Sequence, residues 1–254
     1  MIGRGALVLV PNTLDFGMQE PLPDLQDVLP LGVIRRAAGL QHWIAENAKT
    51  TRAFLKRVGA VVPLSLPLQA IAISELPRSQ KGLHNAALPS LDALLTPALH
   101  GSDIGLISEA GLPAVADPGA TLVQAAHGLG LDVVTLPGPS ALLLALAASG
   151  LNGQSFAFVG YLPIDADARG ARLRELEALS RRSAQTQLMI ETPYRNAALL
   201  AAMLGQLQGS TRLSVSCGLT MPSACTRSAT VARWKDRPSH LPADVPAVFS
   251  LLAA

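Results

Sequence analysis

Cysteine is nearly absent from this chain. Cys217 and Cys225 are the two in 254 residues, too few for a disulfide framework and without metal-ligand spacing. They read as free thiols of a reducing compartment. The histidines (His42, His84, His100, His127 and His240) are scattered with no pair at ligand spacing, so no metal site is expected. Aromatics make up only 4%, which leaves the apolar mass to Leu, Ala and Val, a composition suited to helices packed on a buried parallel sheet. Charge is sparse too: a net +2 does not mark a strongly basic nucleic-acid binder, although a local basic patch can act as one. No apolar run is long enough to span a bilayer, because the longest, Ala141 to Ala148, stops at Ser149-Gly150. The first residues, Met1 to Val10, lack the form of a signal peptide. A soluble, cytoplasmic protein is therefore expected.

The familiar cofactor fingerprints are missing as well. Gly128-Leu-Gly130 and Gly3-Arg-Gly5 precede strands instead of following them, so neither is a dinucleotide-type glycine loop, and no phosphate-binding P-loop occurs.

What is present is a large core. Hydrophobic residues make up 49%, mean hydropathy is +0.34, and the length suits one large or two small α/β domains. Strand patterns at Ala6–Val10, Gln41–Ala45, within Val61–Ile73, Ile104–Ile107, Val133–Leu136, Phe156–Val159, Gln187–Ile190, Leu213–Ser216 and Ala247–Leu252 alternate with helical ones. The segment Phe16 to Gly32, rich in proline and acids, is expected to be loop with a short helix near Leu25–Leu29. A helix over Lys49–Val58 is expected to stop at Gly59. Further helices are expected at Ser90–Leu99, from Ala120, after Ser140, and at Arg169–Arg182 and Asn196–Leu207. The fold class is α/β, divided into an N-terminal domain over 1–137 with a parallel sheet and a C-terminal domain over 138–254 with a mixed sheet.

Two consecutive strand–loop–helix units stand out. Ile104–Ile107 runs into Ser108-Glu-Ala-Gly-Leu-Pro-Ala-Val-Ala-Asp-Pro-Gly119, and Val133–Leu136 runs into Pro137-Gly138-Pro139-Ser140. Gly111 and Gly119 give conformational freedom while Pro113 and Pro118 give rigidity. Such a loop can turn backbone N–H groups toward a nucleotide-sized ligand; equally, Asp117 can cap the next helix with Pro118 at its first position. Ser140, Glu191 and His240 follow the Ser–acid–His order of α/β hydrolases, but Leu142 stands where the nucleophile elbow needs glycine. Lys49, Arg52, Lys56 and Arg57 fall on one helix face. Arg169, Arg172, Arg174, Arg181 and Arg182 crowd a second helix. Either set is a solvated face or a set of phosphate contacts.

The 108–119 loop resembles S-D-A-G-T-P-x-x-S-D-P-G of the small-subunit ribosomal RNA methyltransferase branch of the tetrapyrrole (corrin/porphyrin) methylase superfamily. Leu136–Ala141 resembles its L-P-G-P-S-A, Phe158–Pro163 its F-x-G-F-L-P, Ile190–Arg195 its Y-E-S-P-H-R, and Ala45–Lys49 falls at its A-E-D-T-R. The order of these motifs across residues 45 to 195 is specific. Departures fall at Asn47, Ala48, Lys49, Glu109, Leu112 and Tyr194, so this chain looks like a divergent branch.

The resemblance implies two α/β domains of the class III methyltransferase type, with S-adenosylmethionine in the cleft between them, and a homodimer. It implies cofactor contacts from Pro11, Ser108, Ala110, Gly111, Leu112, Val115, Ser140, Ala141 and Ile190. The expected activity is methyl transfer to RNA, as ribose 2′-O-methylation of small-subunit ribosomal RNA. A tetrapyrrole or other small-molecule methylase, or a non-catalytic homologue that keeps the cofactor, are the alternatives. The sulfonium supplies the electrophile, so no metal is required. If a hydroxyl is the nucleophile, a base is needed within reach. Glu46 or Glu191 is expected in that role, with Asp117 holding the loop. Lys49, Arg52, Lys56 and Arg195 are the expected substrate contacts, with ribosomal RNA or the small ribosomal subunit as partner.

Overall fold

The computed structural model describes residues 3–15, 22–77, 91–238 and 240–254. The chain divides into two compact units, Met1–Pro139 and Ser140–Ala254.

The first unit carries β1 (Ala6–Leu9), α1 (Leu25–Val28), α2 (Leu31–Gly39), β2 (His42–Ala45), α3 (Ala48–Val61), β3 (Ala72–Glu75), α4 (Leu91–Leu94), α5 (Thr96–Leu99), β4 (Ile104–Ile107), α6 (Ala120–Gly128) and β5 (Asp132–Thr135). Its five strands pair in the order β3-β2-β4-β1-β5, all parallel. Side chains alternate across a strand, and here both faces are covered. Val8, Val10, Trp43 and Ala45 join Ile34, Leu55 and Val58 in one core. Leu7, Leu9, Ile44 and Leu106 join Leu95, Leu122 and Ala126 in the other. Central β4 is buried at every position, whereas edge strand β3 is mostly exposed. Gly105 is required inside β4: it pairs with Trp43, and a Cβ there would meet the indole at 2.7 Å.

Parallel pairing brings the C-terminal ends of β1, β2, β4 and β5 to one edge of the sheet. The chain leaves β1 toward β2 and later leaves β4 toward β5, on the opposite side, so the order reverses between β1 and β4. Open α/β sheets place ligands at such a switch point.

The second unit carries α7 (Ala141–Ser149), β6 (Phe156–Phe158), α8 (Ala166–Ser183), β7 (Thr186–Glu191), a 3-10 turn at Pro193–Arg195, α9 (Asn196–Gln206), β8 (Arg212–Cys217), β9 (Cys225–Thr230), α10 (Val231–Asp236) and β10 (Ala247–Leu252). The strand order is β6-β7-β10-β8-β9. β6 runs parallel to β7 and the other pairs are antiparallel, so the sheet is mixed. Ala145 and Leu146 of α7 pack on Leu188 and Val248, with Ala141, Phe158, Ile190 and Leu219 around them.

Several local expectations are corrected. α3 does not stop at Gly59 but runs to Val61, and Leu64 packs over the space where a side chain at 59 would point. The Ser90–Leu99 helix is two short helices, α4 and α5, with Pro97 in the first turn of the second; Ser90 lies outside the described residues. The strand sought within Val61–Ile73 begins only at Ala72 and ends at Glu75. Of Phe16–Gly32, residues 16–21 lie outside the described residues, and the remainder holds α1 and the start of α2. His84 lies outside them too. Among the described residues, no helix is long and apolar enough to cross a membrane.

Candidate functional site

The 108–119 loop leaves β4 at the reversal point and is tied back to the end of β1. Asn12 Nδ2 donates to Ser108 O at 3.1 Å and Glu109 O at 3.0 Å. The Asn12 N–H donates to Gly111 O at 2.9 Å, and the Gly111 N–H to Thr13 O at 3.3 Å. Asn12 is buried, and nothing in the sequence reading singled it out. Only its place at the mouth of the first strand, next to Pro11, hinted at a loop partner.

Gly111 has φ +66° and Gly119 φ +132°, but Ala114 and Ala116 also sit at φ +65° and +66°. A left-handed alanine costs about 1–2 kcal/mol, so the surrounding bonds hold this loop in a shape it would not choose alone. Pro113 and Gly111 are buried while Val115 is exposed. The second loop closes on the same edge: a Cβ on Gly138 would meet Pro11 Cβ at 2.3 Å. Pro11, Ser108, Ala110, Gly111, Leu112 and Val115 are thus gathered in the first unit around one strand-end cradle. Ser108 is buried, and its Oγ makes no hydrogen bond of good geometry. Its contact with Asp117 is close enough to favour the ionised carboxyl, yet too loose to satisfy the hydroxyl. An orphaned buried hydroxyl beside a preshaped backbone loop fits a polar ligand.

The carboxylates form a separate wall. Glu46 follows β2, and its Oε2 accepts from the Glu109 N–H at 3.1 Å. Asn47 Nδ2 donates to Glu109 Oε1 at 3.0 Å. Glu46, Glu109 and Asp117 line a cavity of ≈ 630 Å³ with Leu76, Pro77 and the start of α6. Burial, helped by the charges of Glu46 and Glu109 against the weaker opposing contact of Ser108, lifts Asp117 from 3.8 to about 7. Asp117 does not cap α6. The N-cap is Gly119, with no side-chain bond. Among the described residues no His, Cys, Asp or Glu cluster is placed to hold a metal ion.

α3 starts directly after this wall. Asn47 is its N-cap, accepting from the Lys49 and Thr50 N–H groups. Lys49, Arg52 and Lys56 are exposed along it. Arg57 is not part of that face: its guanidinium meets Asp15 at 2.8 Å, Thr13 Oγ1 at 3.3 Å and Pro23 O at 2.9 Å. On α8, Arg169 donates to Ile164 O, Arg172 pairs with Glu175, Arg174 with Gln206, and Arg181 with Ala254 O. Neighbours in the second unit therefore engage most of that basic helix.

Within the second unit, Ser140 occupies the N-cap position of α7 without a side-chain cap bond. Ala141 and Ile190 share one apolar cluster. Glu191 is buried, its Oε1 accepting from the Thr192 N–H at 2.8 Å. Its Oε2 lies 2.9 Å from Arg195 Nη2, an ion-pair contact off hydrogen-bond alignment. Arg195 and Glu191 are thus brought together as an ion pair. His240 stands in a segment without regular structure, and no described contact joins it to Ser140 or Glu191, so the hydrolase order has no geometric counterpart.

A parallel α/β unit with a preshaped strand-end loop, followed by a mixed-sheet α/β unit, defines a two-domain protein that binds a nucleotide-like cofactor. The chain belongs to the tetrapyrrole (corrin/porphyrin) methylase family, whose model matches residues 44–233. As a member it is an S-adenosylmethionine-dependent methyltransferase. It is similar to ribosomal RNA small subunit methyltransferase I of Mesorhizobium japonicum, at 35% identity over 89% of this chain and 69% of that one. The Pseudomonas aeruginosa protein of the same name is 30% identical over 87% of this chain and 71% of its own. The Vibrio cholerae one is 40% identical over 50% of this chain and 43% of its own. Solved structures share the fold. One is the methyltransferase CobJ, with TM-score 0.57 and 15% identity over 99% of this chain and 95% of that one. Another is uroporphyrin-III-C-methyltransferase from Thermus thermophilus, with TM-score 0.52 and 17% identity over 98% of this chain and 92% of that one.

Proposed function

We propose that the protein methylates RNA, adding the methyl group to a ribose 2′-hydroxyl of small-subunit ribosomal RNA as a cytoplasmic homodimer. The observation that carries this reading is the run of exposed Lys49, Arg52 and Lys56 along α3, which starts at the rim of the carboxylate wall beside the cofactor loop. Basic side chains at that spacing suit a phosphate backbone. The names of the relatives support small-subunit ribosomal RNA as the acceptor.

S-adenosylmethionine, when bound, supplies an electrophilic methyl group. Pro11, Ser108, Ala110, Gly111, Leu112 and Val115 would hold it from the first unit, and Ser140, Ala141 and Ile190 from the second. The buried Ser108 hydroxyl and the bonded turn at Gly111 fit a polar ligand with donors and acceptors. The acceptor hydroxyl must lose a proton, and a base titrating near working pH does this best. Glu46 and Asp117 serve this step together: Glu46 is fixed by the Glu109 N–H, and burial, with the Glu46 charge second, lifts Asp117 to about 7. Glu191, held by Arg195 and Thr192, orients its loop. Arg195 is then a substrate contact only through that loop.

A tetrapyrrole acceptor is the second reading, suggested by the description of the matching family. An RNA backbone would engage the exposed Lys49, Arg52 and Lys56, which a small macrocycle would not require. The test is transfer of labelled methyl to ribosomal RNA, small ribosomal subunits and small-molecule extracts, each from a strain lacking this protein. Label in the RNA-containing fractions supports the reading, and label confined to small molecules overturns it.

A further inference from the structure

The mechanism makes no use of the two cysteines, yet the fold sets them directly opposite each other. Cys217 ends β8 and Cys225 begins β9, and they are register partners in the antiparallel ladder. Cys217 is buried and Cys225 exposed, on the edge strand. Directly opposed residues project from the same face. The Val231 N–H donates to Thr211 O, opposite it, at 2.9 Å. Stepping along the ladder from that pair puts Cys217 and Cys225 at a hydrogen-bonded position, where Cα atoms are about 5.5 Å apart. Disulfides span Cα separations of about 4.4–6.8 Å.

We propose that Cys217 and Cys225 are a reversible oxidation site that closes to an intrachain disulfide, and that closure weakens cofactor binding in the second unit. The second clause rests on the S-adenosylmethionine reading above.

A low-molecular-weight disulfide such as oxidised glutathione is the oxidant. The Cys225 thiolate, which solvent reaches, attacks one of its sulfurs and releases one thiol. Cys217 then loses its proton to water, and its sulfur displaces the second thiol. Two S–H bonds and one S–S bond are lost, one new S–S bond and two small thiols appear, and the electrons balance. Burial, together with the neighbouring Cys225, pushes the Cys217 thiol up to about 12, so ring closure is the slow step.

Closure cannot leave the hairpin unchanged. A disulfide needs Cβ atoms about 3.5–4.5 Å apart, closer than a hydrogen-bonded pair provides, so the strand ends must tighten and the bond is strained and easily reduced. The loop they close is already constrained, with Gly218 at φ +57° and Thr220 at φ +69°. Left-handed geometry is a genuine outlier for a β-branched residue. Leu219 within this loop packs in the cluster that holds Ala141 and Ile190, two of the cofactor contacts implied above. Tightening at Cys217 therefore moves a neighbour of that wall.

The test treats the purified full chain with oxidised glutathione, then maps thiols and linked peptides under non-reducing conditions, and measures S-adenosylmethionine affinity by calorimetry. Expected are loss of both free thiols, a linked Cys217–Cys225 peptide pair in monomeric chains, recovery with dithiothreitol, and several-fold weaker binding in the oxidised form. Cys225→Ser should bind the cofactor equally with and without oxidant. The site is overturned if Cys217 remains alkylatable, with Cys225 either free, capped by glutathione or joined between chains. If the linked form binds as tightly as the reduced form, the coupling is overturned and the oxidation site stands. If reduced protein binds no cofactor, the S-adenosylmethionine reading fails, and the peptide map still decides the disulfide.

Discussion

Glu46 Oε2 accepts a hydrogen bond from the backbone N–H of Glu109 at 3.1 Å, so the end of β2 clamps the start of the 108–119 loop. The same carboxylate raises the titration point of Asp117 by its charge. Clamp and charge are separable. Glu46→Gln keeps an acceptor for the N–H but removes the charge. The acid limb of the pH dependence of kcat/KM should then move to lower pH. Glu46→Ala also frees the loop, and should in addition weaken cofactor binding. An unmoved acid limb in Glu46→Gln would remove Asp117 from the proton-accepting pair.

Asp117 itself makes a stability prediction. Its folded pKa, about 7, lies above the ordinary 3.8, so the folded state holds its proton more tightly than the unfolded one. Stability is thus unaffected below about pH 4, declines as pH rises toward 7, and stays reduced above. Asp117→Asn should leave Tm unchanged near pH 4 and raise it at pH 8. Because the group is half-buried, the gain is on the order of 1 kcal/mol, or about 2–4 °C. Thermal melts at both pH values check the sign.

Glu191 and Arg195 are 2.9 Å apart, with the Glu191 side chain 1% exposed. Removing one partner of a buried pair costs about 3–5 kcal/mol, while replacing both is far milder. Arg195→Met should therefore lower Tm strongly, and adding Glu191→Gln should restore much of it. Turnover that recovers with Tm in the double variant supports orientation as the job of Glu191. Turnover that stays absent in a restored fold makes it the base.

Much of the fold is legible in sequence, because Leu-, Val- and Ile-rich strands alternate with helices. Ala247–Leu252 is the clearest strand, an apolar run buried on the central strand of its sheet. β9 was not legible: Cys225-Thr-Arg-Ser-Ala-Thr230 is a polar edge strand with little apolar patterning. α2 hid behind a proline-rich approach, though Val33, Ile34, Ala37 and Ala38 carry its buried stripe. Arg57 fits the spacing of the basic face, and only the fold puts Asp15 in its reach. At the site, glycine and proline announced the loop, but the carboxylate wall depends on residues far apart in sequence, at 46, 109 and 117. Spacing along the chain cannot report such proximity.

The exposed face of α3 makes a prediction about salt. Each phosphate contact contributes about 0.7–0.9 to the slope of log affinity against log salt. Reversing Lys49, Arg52 and Lys56 to Glu should reduce the slope for ribosomal RNA by about 2–3 and leave S-adenosylmethionine affinity intact. Filter binding across a salt series measures the first, and calorimetry the second.

Methyl transfer to RNA is tested most sharply by following the methyl group to its atom. Small ribosomal subunits from a strain lacking this protein are incubated with it and labelled S-adenosylmethionine, and the RNA is digested completely to nucleosides. Label is expected in one 2′-O-methylated nucleoside and is lost in the Glu46→Gln Asp117→Asn double variant. Label on a base carbon or nitrogen, or RNA that stays unlabelled while a small-molecule extract is methylated, would contradict ribose methylation.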